Sequence, residues 1–185
     1  MFKFANQHFE MNIIQAQDDE SLDEIIALYI KAFFTGPSKQ FINLKELNEY
    51  IAGFFSDGKI LLALEKNRVI GALLYCPLQK DTLLPKLIHK NFNVESCVYV
   101  AEMMVSEMAR GQGIGTQLLQ SFFDTVDKTR YTDAFIRVWD KNTTALNLYK
   151  KMGFVPISTI EQTKRNADGN GTFVMKKTYL HSKIG

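Results

Sequence analysis

The residues with the clearest chemical potential form a glycine-rich segment near the middle of the chain, ARGQGIGT at positions 109–116. Three glycines fall within Arg110–Gly115, and QLLQSFFDTV, whose apolar spacing is typical of a helix, follows directly. The first N–H groups of a helix have no partner within it and carry the positive end of its dipole. Glycines let these groups approach an anion closely, and Arg110 adds a formal charge. The segment predicts a phosphate-binding loop, with a tight turn that binds no ligand as the alternative.

Two other nucleotide-binding motifs fit the segment less well. A P-loop needs Gly-x-x-x-x-Gly-Lys-Ser/Thr, which this sequence lacks. The dinucleotide pattern Gly-x-Gly-x-x-Gly would need a glycine at the position of Thr116, and a convincing acidic residue about twenty positions later is missing. Both classes are therefore disfavoured.

The elements next to the loop must hold it in place. SCVYVAEMMV, directly before it, is too apolar for a strand that is exposed on either face, and DAFIRVW is a second strand after a helix over about 113–128. A strand, a loop, a helix and a strand in this order predict a parallel βαβ crossover at the centre of a sheet.

The rest of the chain alternates helical and strand-like segments. Ser21–Glu24 has the spacing of a capping box before a first helix, and Lys66–Asn67 is predicted to be the turn of a hairpin. The segment QKDTLLPKLIHKNFN is ambiguous and partly compatible with a helix. The remaining predicted elements are the strand MNIIQAQ, the helices LDEIIALYIKAFF, LKELNEYIAGFF and NTTALNLYKKM, the hairpin KILLALEKNRVIGALLYCPL, and the strands FVPISTIEQTK and GTFVMKKTYL.

Length and composition indicate one ordinary globular domain over residues 1–185, with a core at about 12–180 after an N-terminal extension, 1–11. The chain is 46% hydrophobic and 23% charged, and its net charge of +2 gives no reason to expect a nucleic-acid or membrane-surface binder. No apolar run reaches the length of a membrane span, and the first residues lack the apolar core of a secretory signal.

The cysteines and histidines give no indication of a disulfide or a metal site. Cys76 and Cys97 each lie in strand-like sequence, which predicts two free buried thiols and a reducing, cytoplasmic setting. The three histidines show no ligand spacing, so we expect no metal site. The sequence leaves the formation of a homodimer open.

The loop and its surroundings resemble the GNAT superfamily of N-acetyltransferases. Arg110–Gly115 matches the signature Arg/Gln-x-x-Gly-x-Gly/Ala, and VYVAEMMVSEMARGQGIGTQLL is similar to that family's central strand, pyrophosphate loop and following helix. IRVWDKNTTALNLYKKMGFVP is similar to its next strand and helix, including an asparagine at the helix start, a tyrosine within the helix and a terminal Gly-Phe. The resemblance covers roughly residues 98–156.

The resemblance implies a fold and a co-substrate. The expected fold is α/β, with a mixed, mostly antiparallel twisted sheet of about seven strands, helices on both faces and a splayed central pair of parallel strands. The gap between the splayed strands would hold acetyl-CoA. Its expected contacts are the backbone of Met103, Met104 and Val105 for pantetheine and the acetyl carbonyl, the side chain of Asn142, and, for the pyrophosphate, Arg110, Gly111, Gln112, Gly113, Ile114, Gly115 and Thr116.

The implied reaction is direct attack of a primary amine on the thioester in a ternary complex. Tyr149 is the candidate acid for the leaving thiolate, with a purely structural role in the core as the alternative. Glu102 stands alone in an apolar strand, where burial would raise its pKa, and is the candidate base; an ordinary solvated or paired carboxylate is the alternative. Glu107 is a weaker candidate base. Four basic residues could surround the cofactor phosphates: Arg137, Lys141, Lys150 and Lys151.

The acceptor is not specified by the sequence. The resemblance implies that its site is lined by the first two helices, by their connection FFTGPSKQFIN and by the final hairpin, and Phe33, Phe34 and Phe41 could form an apolar wall there. Polyamines, antibiotics, amino acids and protein N-termini remain open. A longer acyl-CoA substrate, or a non-catalytic CoA-binding module, is the alternative function.

Overall fold

The computed structural model of the protein describes residues 11–185; the first ten residues of the predicted N-terminal extension lie outside the described part. The described helices are α1 (Leu22–Phe33), α2 (Leu44–Asp57), α3 (Lys86–Asn91), α4 (Ile114–Thr125) and α5 (Thr143–Lys151). The strands are β1 (Met11–Gln15), β2 (Lys59–Glu65), β3 (Arg68–Pro77), β4 (Cys97–Val105), β5 (Asp133–Trp139), β6 (Val155–Arg165) and β7 (Thr172–Lys183). Short 3₁₀ turns precede α3, β4 and α4.

The seven strands form one mixed sheet in the order β1-β2-β3-β4-β5-β7-β6. Neighbouring strands are antiparallel except for β4 and β5, which pair in parallel. In this parallel pair, Cys97–Val100 of β4 lie opposite Asp133–Ile136 of β5. The pairing stops there, although β4 continues to Val105 and β5 to Trp139. The predicted mixed sheet with a splayed central pair is confirmed, and the splay leaves a gap at the carboxyl ends of both strands.

An irregularity in β4 changes which way its side chains face. Leu74 of β3 lies opposite Glu102, but the next residue, Tyr75, lies opposite Val100, so Ala101 is an extra residue in β4. Such a β-bulge interrupts the strict alternation of side chains. It places Glu102 on the face of the sheet that α2 covers, where the Tyr50 hydroxyl donates a hydrogen bond to it.

Helices cover both faces of the sheet, as predicted. Alternate side chains of β3 and β4 enter two separate hydrophobic clusters, since successive residues of a strand point to opposite faces. The cluster under α4 and α5 includes Leu73, Val98, Val100, Leu118, Phe122 and Tyr149. The cluster under α1 and α2 includes Ile25, Ile51, Ala72, Leu74, Tyr99 and Phe135.

The predicted hairpin turn is present, and the predicted capping box is not. The turn at Lys66 and Asn67 is confirmed, with φ values of 48° and 63° that suit a tight hairpin. The capping box is wrong: Ser21 makes no side-chain bond to α1, and the Glu24 carboxylate instead accepts a hydrogen bond from the Val69 N–H at 2.9 Å. A contact with a distant hairpin has replaced the local one.

The cysteines agree with the sequence prediction, and the end of α4 differs from it slightly. Both cysteines are unpaired and buried, which confirms the prediction of free thiols. The fourth helix ends at Thr125, three residues earlier than its predicted end near 128. Within residues 11–185, none of the helices is long and apolar enough to cross a membrane.

Candidate active site

The gap between the splayed strands is a cleft of about 910 Å³. Its walls are the carboxyl-terminal halves of β4 and β5, the start of α4, the helix α5, the loop between α1 and α2, and the inner face of β7. The sheet topology therefore brings the glycine-rich loop, Glu102 and Tyr149 to one place, although they are spread over 48 positions of the chain.

The glycine-rich loop presents unpaired backbone donors to this cleft. The first hydrogen bond of α4 runs from the Gln117 N–H to the Gly113 carbonyl at 3.0 Å, so the N–H groups of Ile114, Gly115 and Thr116 have no partner within the helix. Gly113 is the N-cap residue and contributes no side chain that could satisfy them. A bound anion is a suitable partner for these three groups.

Two glycines of the loop hold a backbone conformation that side chains disfavour. The φ angles of Gly111 and Gly113 are +78° and +80°, in the left-handed region. A Cβ at Gly111 would meet nothing within 4 Å, and one at Gly113 would meet only the Gln117 side chain, at 4.0 Å. The protein leaves this space free, as a cradle for a phosphate group requires.

The third glycine serves packing. A Cβ at Gly115 would come within 3.0 Å of the Leu148 side chain and 3.6 Å of the Met103 methyl group. Gly115 thus lets α4 approach α5 and β4 closely, and this close contact positions the loop relative to the candidate acid on α5.

The other predicted cofactor residues occupy varied positions. Arg110 is exposed at the mouth of the cleft, where its Nε–H donates to the Val105 carbonyl at 3.4 Å. Asn142 lines the cleft and also caps α5, accepting a hydrogen bond from the Ala145 N–H at 3.2 Å. Gln112 is exposed and donates to the Met108 carbonyl, away from the cleft lining. The lining also includes Met103, Met104, Val105, Lys141 and Lys151.

Tyr149 lies on the α4–α5 side of the cleft. It is 5% exposed, lines the cleft, and packs with its ring centroid 6.2 Å from that of Phe154. Burial raises the pKa of Tyr149, and the charge of Glu102 raises it further. The hydroxyl therefore stays protonated throughout the physiological range.

Glu102 lies on the opposite side, towards α1 and α2. Burial raises the pKa of Glu102, while the positive charge of Lys177 and the hydrogen bond from Tyr50, 3.1 Å long, act in the opposite direction. A carboxylate whose pKa is raised binds a proton more readily than an ordinary glutamate does. Glu107, the weaker candidate, is exposed and does not line the cleft.

Arg137, one of the basic residues considered for the phosphates, is held in a network that sequence reasoning missed. Its Nη1 donates to Asp81 Oδ1 at 2.9 Å and to the Tyr179 hydroxyl at 2.7 Å, and that hydroxyl donates to Asp81 Oδ2 at 2.7 Å. Asp81 comes from the segment whose structure the sequence left ambiguous. The network joins that segment to β5 and β7 on the side of the cleft that faces α1 and α2.

The loop between α1 and α2 closes this side. Phe33, Pro37, Ser38 and Gln40 line the cleft, and backbone hydrogen bonds from Phe41 to Arg165 and from Ala167 to Lys39 tie the loop to the β6–β7 hairpin. Of the three phenylalanines considered for an apolar wall, Phe33 lines the cleft, whereas Phe34 and Phe41 are 38% and 43% exposed.

The profile of the Acetyltransferase (GNAT) family matches residues 20–154. The chain belongs to this family. The GNAT chain is also 31% identical, over 93 residues, to an N-alpha-acetyltransferase of Sulfurisphaera tokodaii. This match covers 50% of the chain and 50% of the relative, so the chain spans half the length of the curated relative that it matches.

Solved structures share the fold of this GNAT protein. An N-acetyltransferase from Staphylococcus aureus Mu50 superposes with a TM-score of 0.72 and 17% identity, covering 95% of this chain and 99% of the other. The structure of yncA from Salmonella typhimurium, which contains its cofactor acetyl-CoA, superposes with a TM-score of 0.71 and 14% identity over 95% of each chain. At these identities the likeness concerns the fold alone.

The loop geometry leads to a prediction for Gly113→Asn. Asparagine tolerates a positive φ, so the variant should fold, but its side chain would occupy the cradle and compete for the free N–H groups. We expect calorimetry to show a loss of CoA affinity of about tenfold or more, the scale of one lost charge-assisted hydrogen bond.

Gly153→Asn is the matched control for this variant. Gly153 has a φ of +88° and does not line the cleft, so the same substitution tests the backbone effect alone. Unchanged CoA affinity in a folded Gly113→Asn protein would show that the loop does not bind the cofactor phosphates.

Proposed function

We propose that this GNAT protein transfers the acetyl group of acetyl-CoA to a primary amine by direct attack in a ternary complex. The observation that carries the proposal is the cleft between β4 and β5, which has a phosphate-binding geometry at its mouth and a carboxylate and a phenol on its two sides. Family membership supports acetyl transfer, and the amine acceptor and mechanism are our inference.

The cofactor fits the groups that this chain presents. Three free N–H groups at the start of α4, together with Arg110, would bind the pyrophosphate. Beyond Val100, the edge of β4 that faces β5 has no strand partner, so those backbone groups of Met103, Met104 and Val105 that point away from β3 are available for pantetheine and the acetyl carbonyl. When bound, acetyl-CoA supplies an activated acyl group with a thiolate leaving group.

The side chains supply a route for two protons. Glu102 accepts a proton from the acceptor amine, which can then attack the carbonyl carbon. Backbone N–H groups of β4 stabilise the negative charge that develops on the carbonyl oxygen. As the C–S bond breaks, Tyr149 donates its hydroxyl proton to the departing sulfur, and the second proton that the attacking nitrogen loses returns to Tyr149.

Burial couples the two groups electrostatically. The negative charge of Glu102 is one of the two causes of the raised Tyr149 pKa. Once Glu102 has accepted a proton, that contribution disappears, and Tyr149 becomes a stronger acid as the thiolate forms. This order of events suits a reaction in which the amine loses its proton before the thiol leaves.

The chemical class of the acceptor is supported by one relative. The partial match to a protein named an N-alpha-acetyltransferase favours an α-amine. The alternatives are a longer acyl-CoA substrate and a non-catalytic CoA-binding module, and the meeting of Tyr149 and Glu102 at one cleft favours turnover over binding alone. Two unpaired cysteines favour a reducing, cytoplasmic setting.

Acetyl-CoA should stabilise the protein, because a ligand that binds only the folded state shifts the folding equilibrium. At a concentration about 100 times Kd the gain is about 2.7 kcal/mol, which corresponds to a rise in Tm of about 5–10 °C for a chain of this size. S-acetyl-N-acetylcysteamine, which has the thioester but no pyrophosphate, is the control and should give little shift.

Turnover is then tested by thiol release from acetyl-CoA with a panel of amines. Acetylation of at least one amine, with equal amounts of product and thiol, is the expected result. A thermal shift without thiol release would favour the non-catalytic module, and the absence of both would overturn the proposal.

A further inference from the structure

The inner face of the β6–β7 hairpin carries two lysines that the mechanism does not use. Ile160 lies opposite Lys177, and Gln162 lies opposite Met175, so a row of alternate residues faces α1 and α2 and includes Lys164. Lys164 and Lys177 are both partly buried; Lys177 lines the cleft together with Glu102, whereas Lys164 lies on the same face outside the cleft lining. Lysines are seldom buried without a partner.

The charges on this face do not balance. The groups that interact there are the carboxylates of Asp81 and Glu102 and the cations Arg137, Lys164 and Lys177. Asp81 is already bound by Arg137 and Tyr179. Glu102 alone therefore faces two lysines, and these five groups together carry one positive charge more than negative charges.

Neither lysine is neutralised by a close contact. Within residues 11–185, no carboxylate lies within 4 Å of Lys164 or Lys177. Burial, followed by repulsion from Lys164 and Arg137, lowers the pKa of Lys177 to about 8, and burial also lowers the pKa of Lys164. In the same row, Gln162 Oε1 is buried without a hydrogen-bond partner. The protein holds polar groups here that it does not itself satisfy.

We propose that the acceptor is an amine that also carries a carboxylate, which Lys177 binds and the charge of Lys164 attracts while Glu102 receives the amine. This inference rests on the proposed function. A carboxylate would balance the charge of the site and supply the hydrogen-bond acceptors that the ammonium groups lack. The cofactor phosphates are less suitable partners, because the loop that would bind them leads into α4, on the other face of the sheet.

The carboxylate could belong to a free amino acid or to an acidic peptide. A matched panel separates these sources: an aromatic α-amino acid, its carboxamide and its decarboxylated amine, and a short peptide with an N-terminal glutamate beside the same peptide with glutamine. We expect kcat/KM for the carboxylate member of one set to exceed that of its neutral counterpart by about 10- to 100-fold, the scale of hydrogen bonds to charged groups.

Substitution of the lysines tests the binding site directly. Lys177→Met should abolish the preference, so that kcat/KM for the carboxylate acceptor falls to about that of its neutral counterpart. Loss of the Lys177 charge also raises the pKa of Glu102 and slows both acceptors alike, so the ratio of the two kcat/KM values is the readout. Lys164→Met should have a smaller effect in the same direction. The control is Lys176→Met, since Lys176 is exposed on the opposite face of the same strand and should not alter the preference.

The outcomes separate this inference from the proposed function. Equal turnover of both members of each set, or an equal effect of Lys177→Met on both, would overturn the carboxylate proposal and leave acetyl transfer intact. If no amine is acetylated, calorimetric binding of the same panel to the CoA complex still decides it. Tighter binding of the carboxylate member, lost in Lys177→Met, supports the lysine site, and equal binding refutes it.

Discussion

Replacing Tyr149 by phenylalanine is expected to lower kcat by about 10²-fold or more, the usual scale of general acid catalysis. The ring is 5% exposed and packs in the core beneath α4 and α5, so removal of one hydroxyl should leave the fold and the acetyl-CoA affinity nearly unchanged. A loss in kcat with little change in cofactor binding identifies an interaction that is made in the transition state. Steady-state kinetics and calorimetry on the same preparation provide the test.

Tyr75→Phe is the control for this substitution. Tyr75 belongs to the same hydrophobic cluster, is 4% exposed and does not line the cleft. It reports what the loss of a buried tyrosine hydroxyl does to the core by itself. If both variants retain kcat within a few-fold of the wild type, Tyr149 is a structural residue and another group or water protonates the sulfur.

Sequence patterns predicted most of the fold because they are local. Strand β5 coincides with the segment DAFIRVW, and the turn at Lys66–Asn67 lies where the hairpin pattern placed it. The capping box at Ser21 failed for a non-local reason: the carboxylate that should have completed it bonds to Val69, 45 residues away. Local spacing cannot show such competition.

The site was predicted less completely than the fold. The motifs pointed to Tyr149 and the loop, and the isolation of Glu102 in an apolar strand pointed to that residue; Tyr149, Glu102 and most of the loop line the cleft. The partner of Arg137 is Asp81, 56 residues earlier, and the bulge at Ala101 that orients Glu102 is visible only in the strand register. The sequence did contain one signal for Lys177. Lys176 and Lys177 are adjacent in a strand, so their side chains point to opposite faces of the sheet and one of them must face inwards.

Glu102→Gln should lower kcat/KM by about 10²-fold or more near neutral pH, because glutamine keeps the shape and the hydrogen bond with Tyr50 but cannot accept the proton of the amine. The loss should shrink as pH rises. Above the pKa of the acceptor amine, about 7.7–8.0 for an α-amine, the substrate is already neutral and the base is no longer required.

The acid limb of the wild-type pH profile follows from the direction of the Glu102 shift. Burial raises this pKa, so activity should fall, as pH decreases, at a value above the usual glutamate pKa of about 4.3. The hydrogen bond from Tyr50 favours the charged carboxylate, and its removal in Tyr50→Phe should move the limb to higher pH. In Glu102→Gln this limb should be replaced by one at the pKa of the acceptor amine, because the variant can use only amine that is already neutral.

Glu107→Gln distinguishes the two carboxylates that the sequence offered. Glu107 is exposed in the turn before the glycine-rich loop and does not line the cleft, so its substitution should leave both kcat/KM and the pH profile unchanged. The profile is decisive because a purely structural role for Glu102 would lower activity at every pH without removing the limb. If the acid limb of the wild type keeps its position in Glu102→Gln and vanishes in Glu107→Gln, the base is Glu107.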